Sequence, residues 1–245
     1  MEVAPHNSVL FSSWLTEHGM DAKAQYANTK SGWLERLSKR VYIIKGTSPS
    51  LLDAVSSYNT QLDKKCIIGA FSALGLRDIY HYIPMGKPTM YLFTSSKERL
   101  PNWMLKKSWE YTVNYCTTSF INEDMLGVEK MNIDNKTLLV SSRERAFLEC
   151  LYLTNTPQSL MDTYHLMESL TTLRPNLLQR LLEDCNSIKV KRLFLYMAEK
   201  TAYPWFNMIK QENIDLGSGR RMISPTGKFI RKYNITIPKE LADYE

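Results

Sequence analysis

The chain has 245 residues, of which 23% are charged and 44% are hydrophobic, with 10 Gly and 10 Pro. These values are ordinary for folded globular proteins and argue against a disordered, collagen-like or coiled-coil chain. The length predicts two domains. It also allows a core large enough to fold without a metal or a disulfide.

The cysteines and the N-terminus exclude further classes of protein. Cys66, Cys116, Cys150 and Cys185 form no CxxC pair and have no histidine at ligand spacing, so we expect free thiols, no metal site and no disulfide. Residues 1–15 lack the basic and apolar segments of a signal peptide, and no apolar run approaches the roughly 20 residues that cross a bilayer. We therefore expect a cytoplasmic protein that has no membrane partner and no cofactor.

The positive charge is concentrated in two parts of the chain. The formal net charge is +6, which favours an anionic partner. Residues 21–46 carry six basic side chains against two acidic ones, namely Lys23, Lys30, Arg36, Lys39, Arg40 and Lys45 against Asp21 and Glu35. Residues 187–233 are also strongly basic. Two such segments predict two anion-binding surfaces, with ordinary solvated faces as the alternative.

The first basic segment has the pattern of a winged helix-turn-helix. Residues 12–18 suit a short helix that ends at Gly19, and Asp21 begins a second helix that runs to about Ser31. Aromatic and β-branched side chains lie on either side of Ser38 and Lys39, within residues 33–37 and 40–44, which favours a hairpin with a basic tip. Helix, turn, helix and hairpin are the parts of a winged helix-turn-helix, whose second helix enters the major groove of DNA.

The second helix and the wing supply the candidate DNA contacts. We expect Tyr26 to lie in the core with Ala22 and Trp33. Gln and Asn side chains can bond adenine in pairs, whereas Lys and Thr suit phosphate or guanine. The predicted DNA-binding residues are therefore Lys23, Gln25, Asn28, Thr29 and Lys30 on the helix and Arg36, Lys39 and Arg40 on the wing.

The rest of the chain predicts a mixed α/β region followed by helices. A boundary near Thr47 separates a winged domain, residues 1–47, from a second domain, residues 48–245. Within the second domain, residues 48–140 combine a helix at 51–61 with strands near 89–93, 110–115, 128–133 and 137–140. Asp134 and Asn135 suit a hairpin turn between the last two strands. Residues 141–245 are mainly helical, with helices predicted at 141–153, 159–170, 176–185 and 187–200. The fold class is therefore α+β.

The last of these helices contributes to a predicted second basic surface. Its apolar positions indicate an amphipathic helix whose solvent-exposed face carries three basic residues. Together with two arginines near the C-terminus, the surface consists of Lys189, Lys191, Arg192, Arg220 and Arg221. It is a candidate for further DNA contact or for another interaction.

The sequence contains no common catalytic motif. Residues 217–221 (GSGRR) are neither a P-loop nor a dinucleotide-binding loop, and HExxH, GxSxG and SxxK patterns are absent. The loop could hold a phosphate beside its two arginines, although a solvated turn is the commoner explanation. The four histidines are far apart in sequence. We therefore expect no enzymatic activity.

Several sequence blocks resemble the AbiEi antitoxin family of bacterial type IV toxin–antitoxin systems. They are residues 31–34 (SGWL), 41–42 (VY), 141–153 (SSRERAFLECLYL), 166–175 (LMESLTTLRP), 187–196 (SIKVKRLFLY) and 214–221 (IDLGSGRR). The resemblance implies a winged helix-turn-helix that represses its own operon by binding repeats in the promoter. It also implies that residues 48–245 counteract a nucleotidyltransferase-like toxin, encoded by a neighbouring gene, without a stable complex. The second basic surface is then a candidate for the antitoxin surface.

Two other functions stay open at this point. The C-terminal part could be a protein-interaction module that binds a toxin directly, in which case the toxin would co-purify with it. Alternatively, carboxylates that are distant in sequence could converge in the fold of a nucleic-acid-processing enzyme, in which case cleavage would depend on a metal and on the aspartates of the middle region.

Overall fold

The protein is described by a computed structural model, which covers residues 7–79, 86–155 and 157–244. In chain order the elements are β1 (Leu10–Phe11), α1 (Ser12–Glu17), α2 (Ala22–Lys30), β2 (Leu34–Ser38), β3 (Val41–Ile44), α3 (Leu51–Gln61), β4 (Ile67–Ile68), α4 (Ala70–Gly75), β5 (Thr89–Ser95), α5 (Asn102–Lys106), β6 (Thr112–Thr118), β7 (Val128–Ile133), β8 (Lys136–Ser141), α6 (Arg143–Leu153), α7 (Pro157–Ser169), α8 (Pro175–Asp184), α9 (Ile188–Thr201), β9 (Arg221–Met222), β10 (Lys228–Ile230), β11 (Ile235–Ile237) and α10 (Lys239–Asp243). The predicted fold class is confirmed.

These elements form two compact units. Unit 1 consists of Met1–Ile68, Ile83–Thr117 and Lys130–Val140. Unit 2 consists of Gly69–Tyr82, Thr118–Glu129 and Ser141–Glu245. Two of the four histidines, His6 and His81, lie outside the described residues.

Unit 1 begins with a winged helix-turn-helix, residues 10–44, called the winged unit below. Its three strands form an antiparallel sheet in the order β1-β3-β2, and α1 and α2 precede the β2–β3 hairpin. Leu10, Leu15 and Leu34 are buried together at its centre. Burial of these side chains provides the hydrophobic stabilisation that holds the two short helices on the sheet.

Helix α3 follows the wing in sequence but packs back onto strand β1. The amide of Val9 donates to the Ser57 hydroxyl at 3.2 Å. The Gln61 side chain bonds both neighbours of Leu10, donating to the Val9 carbonyl at 2.7 Å and accepting from the Phe11 amide at 3.0 Å. Helix α3 therefore holds the first strand of the winged unit through side-chain hydrogen bonds.

Most of a five-stranded sheet also belongs to unit 1. Its strand order is β6-β5-β4-β8-β7. Strand β4 pairs antiparallel with β5 and parallel with β8, so the sheet is mixed. The β7–β8 hairpin turns at Asp134 and Asn135, both of which have positive φ, as the sequence predicts.

Unit 2 is built around α6, which is buried from Glu144 to Leu151. Glu149 lies in the middle of this helix and is fully buried. One of its carboxylate oxygens accepts from the Ala70 amide at 2.8 Å, and the other accepts from Ser141 Oγ and Arg145 Nε, both at 2.9 Å. The buried charge is thus paired and fully hydrogen-bonded, which explains how an acidic residue is accommodated in an apolar segment.

Candidate nucleic-acid interface

The two helices of the winged unit are joined by a turn that the local sequence determines. Gly19 adopts a positive φ of 85°, a backbone conformation that favours glycine. Asp21 then caps α2, because its side chain accepts a hydrogen bond from the Ala24 amide at 2.7 Å. The predicted helix, glycine turn and Asp cap are all confirmed.

The outward face of α2 is formed by residues at helical spacing. Lys23, Tyr26, Ala27 and Lys30 are all exposed, and their spacing of three and four residues places them on one side of the helix. Trp33, immediately before β2, is also exposed. The outward stripe of α2 therefore presents two cations and one aromatic ring to solvent.

The prediction that Tyr26 and Trp33 lie in the core was wrong. Tyr26 is 69% exposed and Trp33 is 65% exposed. The position that faces α1 is one residue earlier, at Gln25. Because adjacent helical residues point about 100° apart, burial of Gln25 turns Tyr26 away from the core.

Gln25, predicted to contact DNA bases, is 2% exposed. Its Oε1 accepts from Ser12 Oγ at 2.7 Å. Its Nε2 donates to the Ser12 carbonyl at 3.1 Å, to Thr16 Oγ1 at 3.1 Å and to the Met20 carbonyl at 2.8 Å. The amide is therefore committed to α1 and the turn, and it is not available to a base pair.

Asn28 and Thr29, also predicted to read bases, are half-buried at the edge of this face. The Asn28 amide donates to the Ala24 carbonyl at 2.8 Å, and the Thr29 hydroxyl donates to the Gln25 carbonyl at 2.8 Å. Each side chain thus donates a hydrogen bond to a carbonyl of the same helix and keeps an oxygen atom that can accept another. A role for them in reading DNA remains a prediction.

The wing places its basic residues at one end of the hairpin. Lys39 and Arg40 form the turn between β2 and β3, and Arg40 has a positive φ of 61°. The Arg40 carbonyl accepts from the Ser12 amide at 3.0 Å, so the wing tip lies beside the first turn of α1. An open cavity of about 610 Å³ is lined in part by Lys39, Arg40 and Ser12. Arg36 is exposed on β2, and its Nε donates to the Ser38 carbonyl at 3.4 Å.

The second basic set does not form one surface. Lys191 is 3% exposed and Arg192 is 2% exposed, because α9 is buried on every side from Val190 to Ala198. Lys189 is half-buried, and its ammonium donates to the carbonyls of Tyr152 at 3.0 Å and Thr154 at 2.7 Å. Burial lowers the pKa of Lys189. The prediction that these three residues lie on the solvent-exposed face of α9 was wrong.

Two members of that set, Arg220 and Arg221, are exposed in unit 2. Arg220 precedes β9 and stacks on the Phe229 ring, with 4.2 Å between the guanidinium carbon and the ring centroid. This contact had no signal in the sequence, because it joins a residue that precedes β9 to a residue of strand β10.

The residues that the structure describes include no group of three or more His, Cys, Asp and Glu side chains that could hold a metal ion. The four cysteines are free thiols. Within the same described ranges, none of the helices combines the length and apolar character that crossing a bilayer requires.

A winged helix-turn-helix with a basic outward face, followed by a larger mixed α/β and helical part, defines a protein of the winged-helix class. The chain belongs to the AbiEi antitoxin family. Residues 1–85 match the model described as "Transcriptional regulator, AbiEi antitoxin N-terminal domain". Residues 87–238 match "Transcriptional regulator, AbiEi antitoxin, Type IV TA system". The family predicted from the sequence blocks is therefore confirmed.

A solved structure supports the fold independently. The RV2827C protein from Mycobacterium tuberculosis superposes with a TM-score of 0.57 at 13% sequence identity, over 94% of this chain and 86% of that chain. At this identity the likeness concerns the fold alone. A comparison with curated proteins gave no match.

Proposed function

We propose that the chain binds double-stranded DNA at repeated sites in its own promoter and represses its own operon. We also propose that residues 48–245 counteract a nucleotidyltransferase-like toxin without forming a stable complex with it. Neither activity requires catalysis by this chain. Both proposals refine its membership of a family of transcriptional regulators and antitoxins.

The outward stripe of α2 is the single observation that carries the DNA-binding proposal. A major groove about 12 Å wide admits one helix, and the side chains that reach the base edges are those on its outward face. On α2 these are Lys23, Tyr26, Ala27 and Lys30. The exposed Tyr26 and Ala27 side chains suit contact with thymine methyl groups, and the two lysines suit phosphate or guanine.

The wing adds charge that suits the phosphate backbone. Arg36, Lys39 and Arg40 are exposed on the hairpin, and none of them has an ion-pair partner in the described part of the chain. Phosphate contacts of this kind supply affinity and register, whereas contacts to base edges supply specificity. We therefore assign the wing to the backbone and α2 to the bases.

A promoter–reporter assay combined with toxin co-expression tests both halves of the proposal. The wild-type chain should repress the reporter and restore growth to cells that express the neighbouring toxin. A Lys23→Ala/Lys30→Ala double variant should lose repression and keep growth rescue, because both changes are confined to exposed positions on α2. A matched control, Lys97→Ala/Lys106→Ala, removes the same charge from exposed positions outside the winged unit and should leave both readouts unchanged.

The outcomes separate the two activities. Unchanged repression in the double variant would contradict the assignment of α2 as the reading helix. Growth rescue that is lost with repression would mean that the two activities are not divided between the winged unit and the rest of the chain. Co-purification of the toxin with the wild-type chain would contradict the absence of a stable complex.

A further inference from the structure

Arg192 places a positive charge in the interior of unit 2 without a carboxylate to neutralise it among the described residues. Its Nε donates to the Leu216 carbonyl at 2.8 Å, its Nη1 donates to those of Gly219 at 2.7 Å and Asn234 at 2.9 Å, and its Nη2 donates to that of Gly217 at 2.9 Å. Buried charges are normally paired with an opposite charge. The carbonyl groups accept from the guanidinium of Arg192 but do not neutralise its charge. A net positive charge therefore lies on the inner side of residues 216–219.

These hydrogen bonds fix the direction of the peptide groups in the loop. The described peptide bonds are all trans, so the N–H of each peptide points opposite to its C=O. Since the carbonyls of Gly217 and Gly219 face Arg192, the amides of Ser218 and Arg220 point away from it. Neither amide donates to another group in the described ranges. Gly217 and Gly219 have φ of 61° and 79°, and the two unbonded amides flank Gly219 on the side of the loop that faces away from Arg192.

The side chain of Arg220 is held beside the same loop. Its guanidinium stacks on Phe229 at 4.2 Å, and its Nε donates to Thr236 Oγ1 at 3.0 Å. The two terminal nitrogens keep their donors free within the described part of the chain. An arginine ordered in this way can bind an oxyanion through two parallel hydrogen bonds at little cost in side-chain entropy.

The charges around the loop favour an anion. Arg221 is exposed at the next position, and burial together with the charge of Arg221 lowers the pKa of Arg192. One carboxylate opposes these arginines, because Asp215 Oδ1 accepts from the Gly217 amide at 2.8 Å. Three positive charges against one negative charge leave a positive potential at the loop.

We propose that residues 217–221 bind a phosphate group, with the amides of Ser218 and Arg220 and the guanidinium of Arg220 as donors. The loop is exposed, which suits a phosphate that projects from a larger molecule. Both a nucleic-acid backbone and a free nucleotide carry such a group. The site goes beyond the proposed function, because none of its residues belongs to the winged unit.

Amide NMR of the isotope-labelled full chain tests this site. The probes are inorganic phosphate, ATP and a short single-stranded oligonucleotide of unrelated sequence. We expect the amide signals of Ser218, Gly219 and Arg220 to shift and saturate. Arg220→Gln should weaken each affinity about tenfold or more, as expected for loss of a charge-assisted contact. The matched control, Arg231→Gln, removes the same charge from another exposed position of unit 2 and should change the affinity less than twofold.

Two results would overturn the site. One is the absence of saturable loop shifts with all three probes. The other is an equal loss of affinity in Arg220→Gln and Arg231→Gln, which would indicate general charge attraction. If the loop does respond, a tighter and steeply salt-dependent affinity for the oligonucleotide identifies the nucleic-acid backbone as the source of the phosphate, and a tighter affinity for ATP identifies a nucleotide. Either result supports the phosphate site.

Discussion

Replacing Gln25 with alanine removes the side chain that joins the two helices of the winged unit. Gln25 makes four hydrogen bonds, one accepted and three donated, to α1 and to the turn that follows it. If this contact network is correct, the variant loses folding stability. If Gln25 instead read bases, the variant would lose DNA binding at unchanged stability.

The expected loss follows from these contacts. A hydrogen bond contributes about 0.5–1.5 kcal/mol net, so four of them set an upper range of about 2–6 kcal/mol. Ser12 and Met20 are only half-buried, and Thr16 is exposed, so water recovers part of this loss. We therefore expect the free energy of unfolding to fall by about 2–3 kcal/mol.

Urea denaturation followed by circular dichroism measures this change. Lys23→Ala is the matched control, since Lys23 is exposed on the same helix and its replacement should stay within about 0.5 kcal/mol. The free energies of the two variants should thus differ clearly. A Gln25→Ala variant as stable as Lys23→Ala, with specific DNA binding lost, would show that Gln25 reads bases and does not join the two helices.

Further predictions concern DNA affinity, pH dependence and the buried arginine. Lys30→Ala and Arg40→Ala should each weaken promoter binding and reduce the salt slope by about one, as measured by titration at several salt concentrations. Burial raises the pKa of Glu144, but hydrogen bonds from Arg174 outweigh it and hold that pKa below its ordinary value of 4.5. The contribution of ionised Glu144 to the free energy of unfolding is therefore full above pH 4.5 and is lost as the pH falls through the lower folded-state pKa. The free energy of unfolding of Glu144→Gln should therefore depend less on pH in the acidic range than that of the wild type, as measured by urea denaturation at several pH values. Arg192→Lys keeps the charge but cannot reach four carbonyls, so thermal or urea unfolding should show a loss of about 2–4 kcal/mol.

The order of elements was predictable because local signals agree with the fold. Asp21 and Gly19 mark the ends of the two short helices through capping and positive φ, which are properties of the residues themselves. The hairpin at Asp134 and Asn135 and the helix Leu51–Gln61 follow from turn chemistry and apolar spacing in the same way. Short segments such as β1 and β9 have two residues each, too few for any periodicity.

The direction of side chains on α2 was not predictable from the sequence alone. The helix Ala22–Lys30 has few apolar residues, so its buried face is not defined by a hydrophobic stripe. Gln25 is buried because Ser12, Thr16 and Met20 supply partners, and those partners exist only once α1 is in place. The outward position of Tyr26 follows from that arrangement.

The burial of the basic side chains of α9 was likewise not predictable from the sequence alone. Arg192 is stabilised by carbonyls that lie 24 to 42 residues away in sequence. The hydrophobic pattern of a helix predicts that a basic residue lies on the solvent-exposed face. The physical reason is that burying an unpaired charge costs free energy. The tertiary fold offsets that cost with backbone acceptors, which no pattern of side chains reveals.

The most direct measurement is a footprint of the purified chain on the DNA upstream of its own gene, at two salt concentrations. We expect protection of a repeated site that weakens steeply with salt, and weaker protection by the Lys30→Ala variant at both concentrations. Uniform, unspecific protection, or a footprint that Lys30→Ala leaves unchanged, would contradict the assignment of the winged unit as the DNA-reading part of the chain.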